Sequence, residues 1–462
     1  MIPLPEIFLQ QMQALLQPDE FRAFCNSYNN PTVRGLRFNK LKISTQNVEK
    51  FKLPITYKVP WCAEGYTYPA TERPAKNLFH HAGLFYIQEP SAMCPVEVLA
   101  PKPGHKVLDL CAAPGGKSAQ IAGHLQGEGL LLSNDASPTR SRALVKNLER
   151  MGVTNAVVTT ELPKKLADRF PSFFDRILVD APCSGEGMFR RDPDAIKAYT
   201  ANKPDACMAM QTEILCYAAK MLKPGGRLVY STCTFNTMEN ECVIAGFLEG
   251  NKDFTPLEIN HKELGVIHGF DNLPQSARIF PHLTNGEGHF IVLLEKAPST
   301  LLADESISEL KHRKSTTSTH SPVPREFTEF CNSFITGLTF PAEGIVAHGV
   351  NLYLQPEPLD LRGIRVARSG WHLGECSKGR FTPAHALAMG LRKDNVHYFA
   401  ELCEENARRY LYGESLDADD ILQVSPKSKP WVMVCYQGFP LGWARLVQGR
   451  MKNSLPVGLV VK

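Results

Sequence analysis

Thirteen cysteines are scattered along the chain, yet no two form a Cys-x-x-Cys pair. That spacing argues against a structural zinc site and against a dithiol redox motif. No apolar run reaches the length of a membrane span, and Met1 to Gln17 lacks the basic start and apolar core of a secretory leader. A reduced, cytoplasmic protein without metal, disulfide framework or membrane contact is the expectation. There is no GxxxxGK[ST] loop, which disfavours a P-loop, and no internal repeat is evident. An excess of one charge is also missing: 51 Lys and Arg face 47 Asp and Glu, a formal net charge of +4. Any footprint for nucleic acid must therefore be local. With 462 residues, 43% hydrophobic, the chain can bury a large core in two to four domains.

The stretch Val107 to Ser118 organises what is present: an apolar strand pattern, the turn Cys111-Ala112-Ala113-Pro114-Gly115-Gly116-Lys117, then a helix. Such a turn offers unpartnered N–H groups and a helix N-terminus to an anionic or carboxylate-bearing ligand, and its glycines allow close approach. From there to about 297 strands and helices alternate. Strands are expected at 106–110, 130–135, 156–160, 175–180, 226–232 and 288–295, and helices at 118–124, 138–151, 205–222 and 239–250. This predicts an α/β, doubly wound, mostly parallel sheet with a ligand site at the carboxyl ends of its strands. Asn285-Gly286 before the last strand suggests an antiparallel hairpin at the sheet edge.

Upstream, an amphipathic helix places Ile7, Phe8, Met12, Leu15 and Leu16 on one face, with a shorter helix around Phe21 to Tyr28. Val33 to Lys42 alternates apolar and basic residues, so this strand either turns its basic face to phosphates or is an edge guarded by cations. Downstream, 299–325 is rich in Ser, Thr and Lys and reads as a linker. Short strands separated by glycine turns from Val432 to Val461 suggest a small β-barrel module.

Asp135 ends the second strand, where a doubly wound fold places a carboxylate on a ribose. The strand from Asp175 ends in Asp180-Ala181-Pro182-Cys183-Ser184-Gly185, and the next in Ser231-Thr232-Cys233-Thr234. If these strands are neighbours, both thiols lie beside the cofactor loop, in turns whose free backbone donors lower a thiol pKa. Cys94, Cys207 and Cys216 sit on apolar helix faces and read as packing residues.

The loop Leu108 to Lys117, the segment Phe174 to Gly185, and Ser231 to Thr234 with Glu239-Asn240-Glu241 closely resemble the Nop/Sun (Fmu) family of RNA cytosine-5 methyltransferases. The Leu36 to Lys42 strand and Gln88 to Ser91 are similar to its N-terminal module, and the tail to the PUA-like, RNA-binding end of members acting on small-subunit ribosomal RNA. The resemblance implies a Rossmann-like class I methyltransferase sheet between a small α+β N-terminal RNA-binding module and a PUA-like β-rich domain. Expected boundaries are 1–100, 101–297, a linker at 298–325, an intermediate domain at 326–390 and the PUA-like domain at 391–462. By resemblance Cys233 is the nucleophile that adds to cytosine C6, Cys183 assists release, and Asp180 touches the base and borders the cofactor. S-adenosylmethionine is the implied cofactor, held by Cys111, Ala112, Ala113, Pro114, Gly115, Gly116 and Lys117, with Asp135 on the ribose. Where the family has an aspartate near adenine, this chain has Thr160-Glu161-Leu162-Pro163, leaving Glu161 or a backbone amide for that contact.

The implied partner is RNA, 16S rRNA of the small ribosomal subunit or a precursor, bound by a monomer. A transfer RNA substrate and an RNA-binding assembly factor are the alternatives. Arg190, Arg191, the basic residues of 362–368, Lys378, Arg380, Arg445, Arg450 and Lys452 are candidates for phosphate contacts. Of Trp371, Trp431 and Trp443, at least two are expected in the core.

Overall fold

The computed structural model describes residues 4–199, 203–270, 273–298, 322–417, 423–424 and 431–461. Most of the expected linker, 299–321, lies outside the described residues.

At the centre five parallel strands run in the order Leu222–Thr232, Phe174–Asp180, Lys106–Asp109, Leu130–Asn134, Ala156–Thr159. Alternate residues point to opposite faces of a strand, and here both faces are covered. Val107, Leu131, Val158 and Leu178 enter one core, while Leu108, Leu132, Ile177 and Val179 enter the other. The helix Gly116–Leu125 follows the first strand directly, and Pro138–Arg150 starts where the Ser137 hydroxyl accepts the Arg140 N–H.

The strand His289–Lys296 pairs antiparallel with Leu222–Thr232, and the hairpin expected at Asn285-Gly286 joins it to Ala277–Ile279. It is not the sheet edge, because Ala277–Ile279 and Phe254–Leu257 pair along its other side. At the opposite end Val366–Ser369, from the chain's second half, adds antiparallel to Ala156–Thr159. The expected helix over 239–250 opens as a π turn, Met238–Cys242, before Val243–Gly250.

In the N-terminal module the helices Glu6–Leu15 and Pro18–Ser27 bury Phe8, Met12 and Phe24 against Phe189, Phe235 and Phe280 of the catalytic region. Ile7, expected on that face, is exposed. The strand Arg34–Phe38 is not an edge. It lies between Gly65–Tyr68 and Phe85–Ile87, and its Arg37 is buried, donating to Gln120 Oε1 (3.2 Å) and the Gly116 carbonyl (2.8 Å). The basic side chain thus docks the module onto the helix that follows the glycine loop.

The second half forms a four-stranded antiparallel sheet and a six-stranded sheet. Trp371 and Trp443 are buried and donate to the Ala386 and Ala384 carbonyls, so they are core residues. Trp431 is half-buried, with the Arg445 guanidinium 5.5 Å from its ring centre.

Candidate active site

The two cysteine-bearing strands are neighbours in register, with Asp180 opposite Ser231. After Asp180 and Thr232 the two chains leave the sheet, and the Cys183 and Cys233 sulfurs come within 3.4 Å. The turns are tied together: Gly187 N–H donates to the Cys233 carbonyl (2.8 Å), and the Ser184 and Thr234 hydroxyls lie 2.8 Å apart. Glu239, on the π turn, is fully buried and accepts from Ser184 N–H (2.8 Å) and Gln211 Nε2 (3.0 Å). Glu186 accepts from Phe235 N–H and from the Tyr199 hydroxyl, both at 3.1 Å.

Strand-end placement predicts a lowered thiol pKa at Cys183, and the structure reverses this. The hydrogen bond to Cys233, burial and the charge a Cys233 thiolate would carry push the Cys183 thiol well above its ordinary value. Asp180 is the opposite case. Burial opposes its ionisation, but the Lys117 ammonium (2.7 Å) and the His289 imidazole (3.5 Å) outweigh burial and hold it well below the usual carboxylate range. Ser231 donates to it as well (2.8 Å). His289 and Glu239 are site residues to which the sequence reading assigned no role. Glu239 lies within the Glu239-Asn240-Glu241 motif and His289 at the start of the last strand, and neither carries a local signal of a site role.

The glycine loop closes beside this group. Gly115 has φ +106°, and a Cβ there would lie 2.9 Å from Leu144 Cδ1; at Gly116 it would lie 3.1 Å from the Tyr86 ring. The Cys111 thiol is raised by burial, and Ala112 N–H donates to the Asn134 carbonyl. Asn147 Nδ2 donates to the Pro114 carbonyl (2.8 Å). Asp135 is buried at the end of the second strand, accepting from Ala113 N–H (3.3 Å) and Ser137 N–H (3.0 Å), with Arg140 at 3.5 Å. Glu161 is tied down by Lys165 (2.8 Å) and the Arg365 N–H (2.7 Å), while its own N–H donates to Asn134 Oδ1 (3.0 Å). Beneath the loop Asp109 is fully buried, accepts from the Ser118 hydroxyl (2.6 Å) and leaves Oδ1 without a partner; burial pushes its pKa to about 7.

Several expectations change. Arg190 is buried, donates to the Asn30 and Pro31 carbonyls and faces Glu287 at 3.4 Å, so it braces the N-terminal module rather than meeting phosphate. Arg368 is likewise buried on the Gly370 and Val153 carbonyls. Cys216 is exposed rather than packed. Arg191, Lys378, Arg380 and Arg450 are exposed.

Four family models match in succession: the N-terminal domain of 16S rRNA methyltransferase RsmF over 4–90, 16S rRNA methyltransferase RsmB/F over 96–295, the RsmF rRNA methyltransferase first C-terminal domain over 329–391, and the methyltransferase RsmF PUA domain over 399–461. Ribosomal RNA small subunit methyltransferase F of Erwinia tasmaniensis is 33% identical, the match covering 99% of this chain and 96% of that one. The chain belongs to the RsmB/F family of 16S rRNA methyltransferases. The Shewanella oneidensis protein of the same name is 32% identical over 98% of this chain and 95% of its own. A solved methyltransferase homologue from Pyrococcus horikoshii is 30% identical with a TM-score of 0.55, covering 64% of this chain and 96% of that one. Membership accords with the doubly wound sheet and the C-terminal PUA domain. Among the described residues no helix is long and apolar enough to cross a membrane.

Proposed function

We propose that this methyltransferase modifies C5 of cytosine in 16S rRNA, using S-adenosylmethionine, through a covalent bond between Cys233 and cytosine C6. The observation that carries this reading is the pair of thiols 3.4 Å apart at the carboxyl ends of adjacent parallel strands, beside an ionised Asp180 and a glycine loop. The loop suits the proposed cofactor. Residues Cys111 to Lys117 bring a helix start, whose first N–H groups have no partner in the helix, close to the buried carboxylate of Asp135. That set matches an amino-acid end and ribose hydroxyls. When bound, S-adenosylmethionine supplies the methyl group.

Cytosine C5 is a poor nucleophile until a thiolate adds to C6. A Cys183 that keeps its proton lies 3.4 Å from the Cys233 sulfur, positioned to donate to it. Once the Cys233 sulfur is bonded to carbon, its charge and its acceptor strength are gone, and two causes that hold the Cys183 proton go with them. Cys183 then ionises more readily, giving its proton to water, and its thiolate takes the C5 proton; the C5–H electrons re-form the C5–C6 double bond as the C6–S bond breaks and Cys233 leaves as thiolate. Asp180, kept anionic by Lys117 and His289, faces the base and favours the adduct.

Within this reading residues 1–100 and 391–462 bind RNA, 101–297 catalyse, and 298–325 and 326–390 join them, in a monomer working in the cytoplasm on the small subunit or its precursor without metal. Incubation with small-subunit RNA or 30S particles and labelled methyl donor, followed by nucleoside mass spectrometry, should yield 5-methylcytidine. Label in transfer RNA alone would move the substrate class, and label at another base would overturn the reading.

A further inference from the structure

A cavity of about 280 Å³ opens between the first helix, Glu6–Leu15, and the two cysteine-bearing turns. Glu186, in its lining, is three residues beyond Cys183, and Asn236 is three beyond Cys233; the Gly187 to Cys233 hydrogen bond holds the two turns together. Its walls are apolar at Leu15 and at the exposed Met238. No Lys or Arg lines it, and Glu186 does, so the cavity is unsuited to phosphate. Both Glu186 oxygens are already occupied, by Phe235 N–H and the Tyr199 hydroxyl. Asn236 is different: its Oδ1 accepts the Met238 N–H at 2.8 Å, which fixes the amide orientation and leaves Nδ2 to donate to a ligand.

We infer that this cavity takes a nucleobase adjacent to the target cytosine in the RNA strand, held between Leu15 and Met238 and donated to by Asn236. Extracting the target from its stack leaves its neighbours without a stacking partner, which is unfavourable. A largely apolar pocket without Lys or Arg, next to the two cysteine-bearing turns, receives one of them and offsets that loss. The donor at Asn236 selects a base edge that presents an acceptor. The first helix thereby becomes part of the substrate site rather than only a brace.

The inference rests on the cytosine reading, and the test separates the two. Single-turnover methyl transfer is measured on a small-subunit RNA fragment, intact or with an abasic nucleotide on either side of the mapped target, for wild type, Ala14→Trp and Asn236→Asp. Ala14 lies on the exposed side of the first helix and lines the cavity, so the indole fills it. Wild type should lose at least tenfold in kcat/KM when one particular neighbour is abasic. Ala14→Trp should show a similar loss on intact RNA and no further loss on the abasic one, while binding S-adenosylmethionine normally by calorimetry. Asn236→Asp keeps the acceptor for Met238 and replaces the free donor, and should lose about tenfold on intact RNA. Equal wild-type rates on all three RNAs, or unaltered discrimination by Ala14→Trp, would overturn the pocket alone. Failure of wild type to methylate cytosine in intact RNA would overturn the underlying reading and the pocket with it.

Discussion

Asp180 carries the electrostatics of the site, and two of its partners come from elsewhere in the sequence: Lys117 on the glycine-loop helix and His289 on the antiparallel strand. The pair's stabilisation of the anion is present above the ordinary carboxylate pKa and is lost only as pH falls through the depressed value. Lys117→Met leaves burial to dominate, so the acidic limb of the pH–rate profile should move to higher pH, with a loss of about tenfold or more in kcat/KM at neutral pH. An unmoved limb would sever Lys117 from Asp180. Asp109 has the opposite sign. Its pKa is raised to about 7 by burial, so it destabilises the fold progressively as pH rises from the ordinary carboxylate value to about 7, and by a constant amount above. Asp109→Asn should therefore gain stability relative to wild type across that window and plateau above it, by an amount on the order of a few kcal/mol, read as a rising difference in melting temperature. The acids and thiols at strand ends were legible in the sequence because each terminates an apolar run. His289 was not, since nothing local to it marks Asp180 as its partner.

Among the elements, the glycine loop and the strand Arg34–Phe38 illustrate what a one-dimensional pattern can and cannot convey. The loop was readable because strand, paired glycines and helix are contiguous. Gly115→Ala should cost about 1–3 kcal/mol through its φ of +106° and should also press on Leu144, weakening S-adenosylmethionine binding measured by calorimetry. The alternating basic strand was misread because an exposed edge and a buried docking strand share the same local pattern. What decides is that Arg37 meets Gln120 and Gly116, far along the chain. Arg37→Ala should cost about 3 kcal/mol and increase hydrogen exchange in Phe85–Ile87 and Gly116–Leu125 together. The π turn Met238–Cys242 was invisible for the same reason: its buried Glu239 is fixed by Ser184 and Gln211 rather than by helical propensity.

For the whole molecule, the N-terminal module and the C-terminal sheet share one apolar core. Leu36, Phe38 and Phe85 join Tyr410, Val432 and Leu441 in it, and Phe79 packs on Phe51, Tyr436 and Phe439. Phe79→Ala should cost about 3–5 kcal/mol and loosen both ends of the chain in one transition, seen as simultaneous loss of exchange protection at Arg34–Phe38 and Trp431–Tyr436. Loss at only one end would mean that the two ends fold independently. The second half is also bound into the catalytic sheet by Val366–Ser369, and Arg365 completes the surroundings of Glu161. Composition and turn signals pointed to the separate regions, but the pairing of two remote segments leaves no local trace, so this joint could only be seen in three dimensions.

Denaturing gel electrophoresis separates the roles of the two thiols. Wild type, Cys183→Ala and Cys233→Ala are incubated with S-adenosylmethionine and small-subunit RNA or 30S particles. A slow-migrating covalent complex should accumulate for Cys183→Ala alone, because Cys233 attaches and nothing assists its release. A complex formed by Cys233→Ala instead would reverse the two roles, with Cys183 as the attacking thiol.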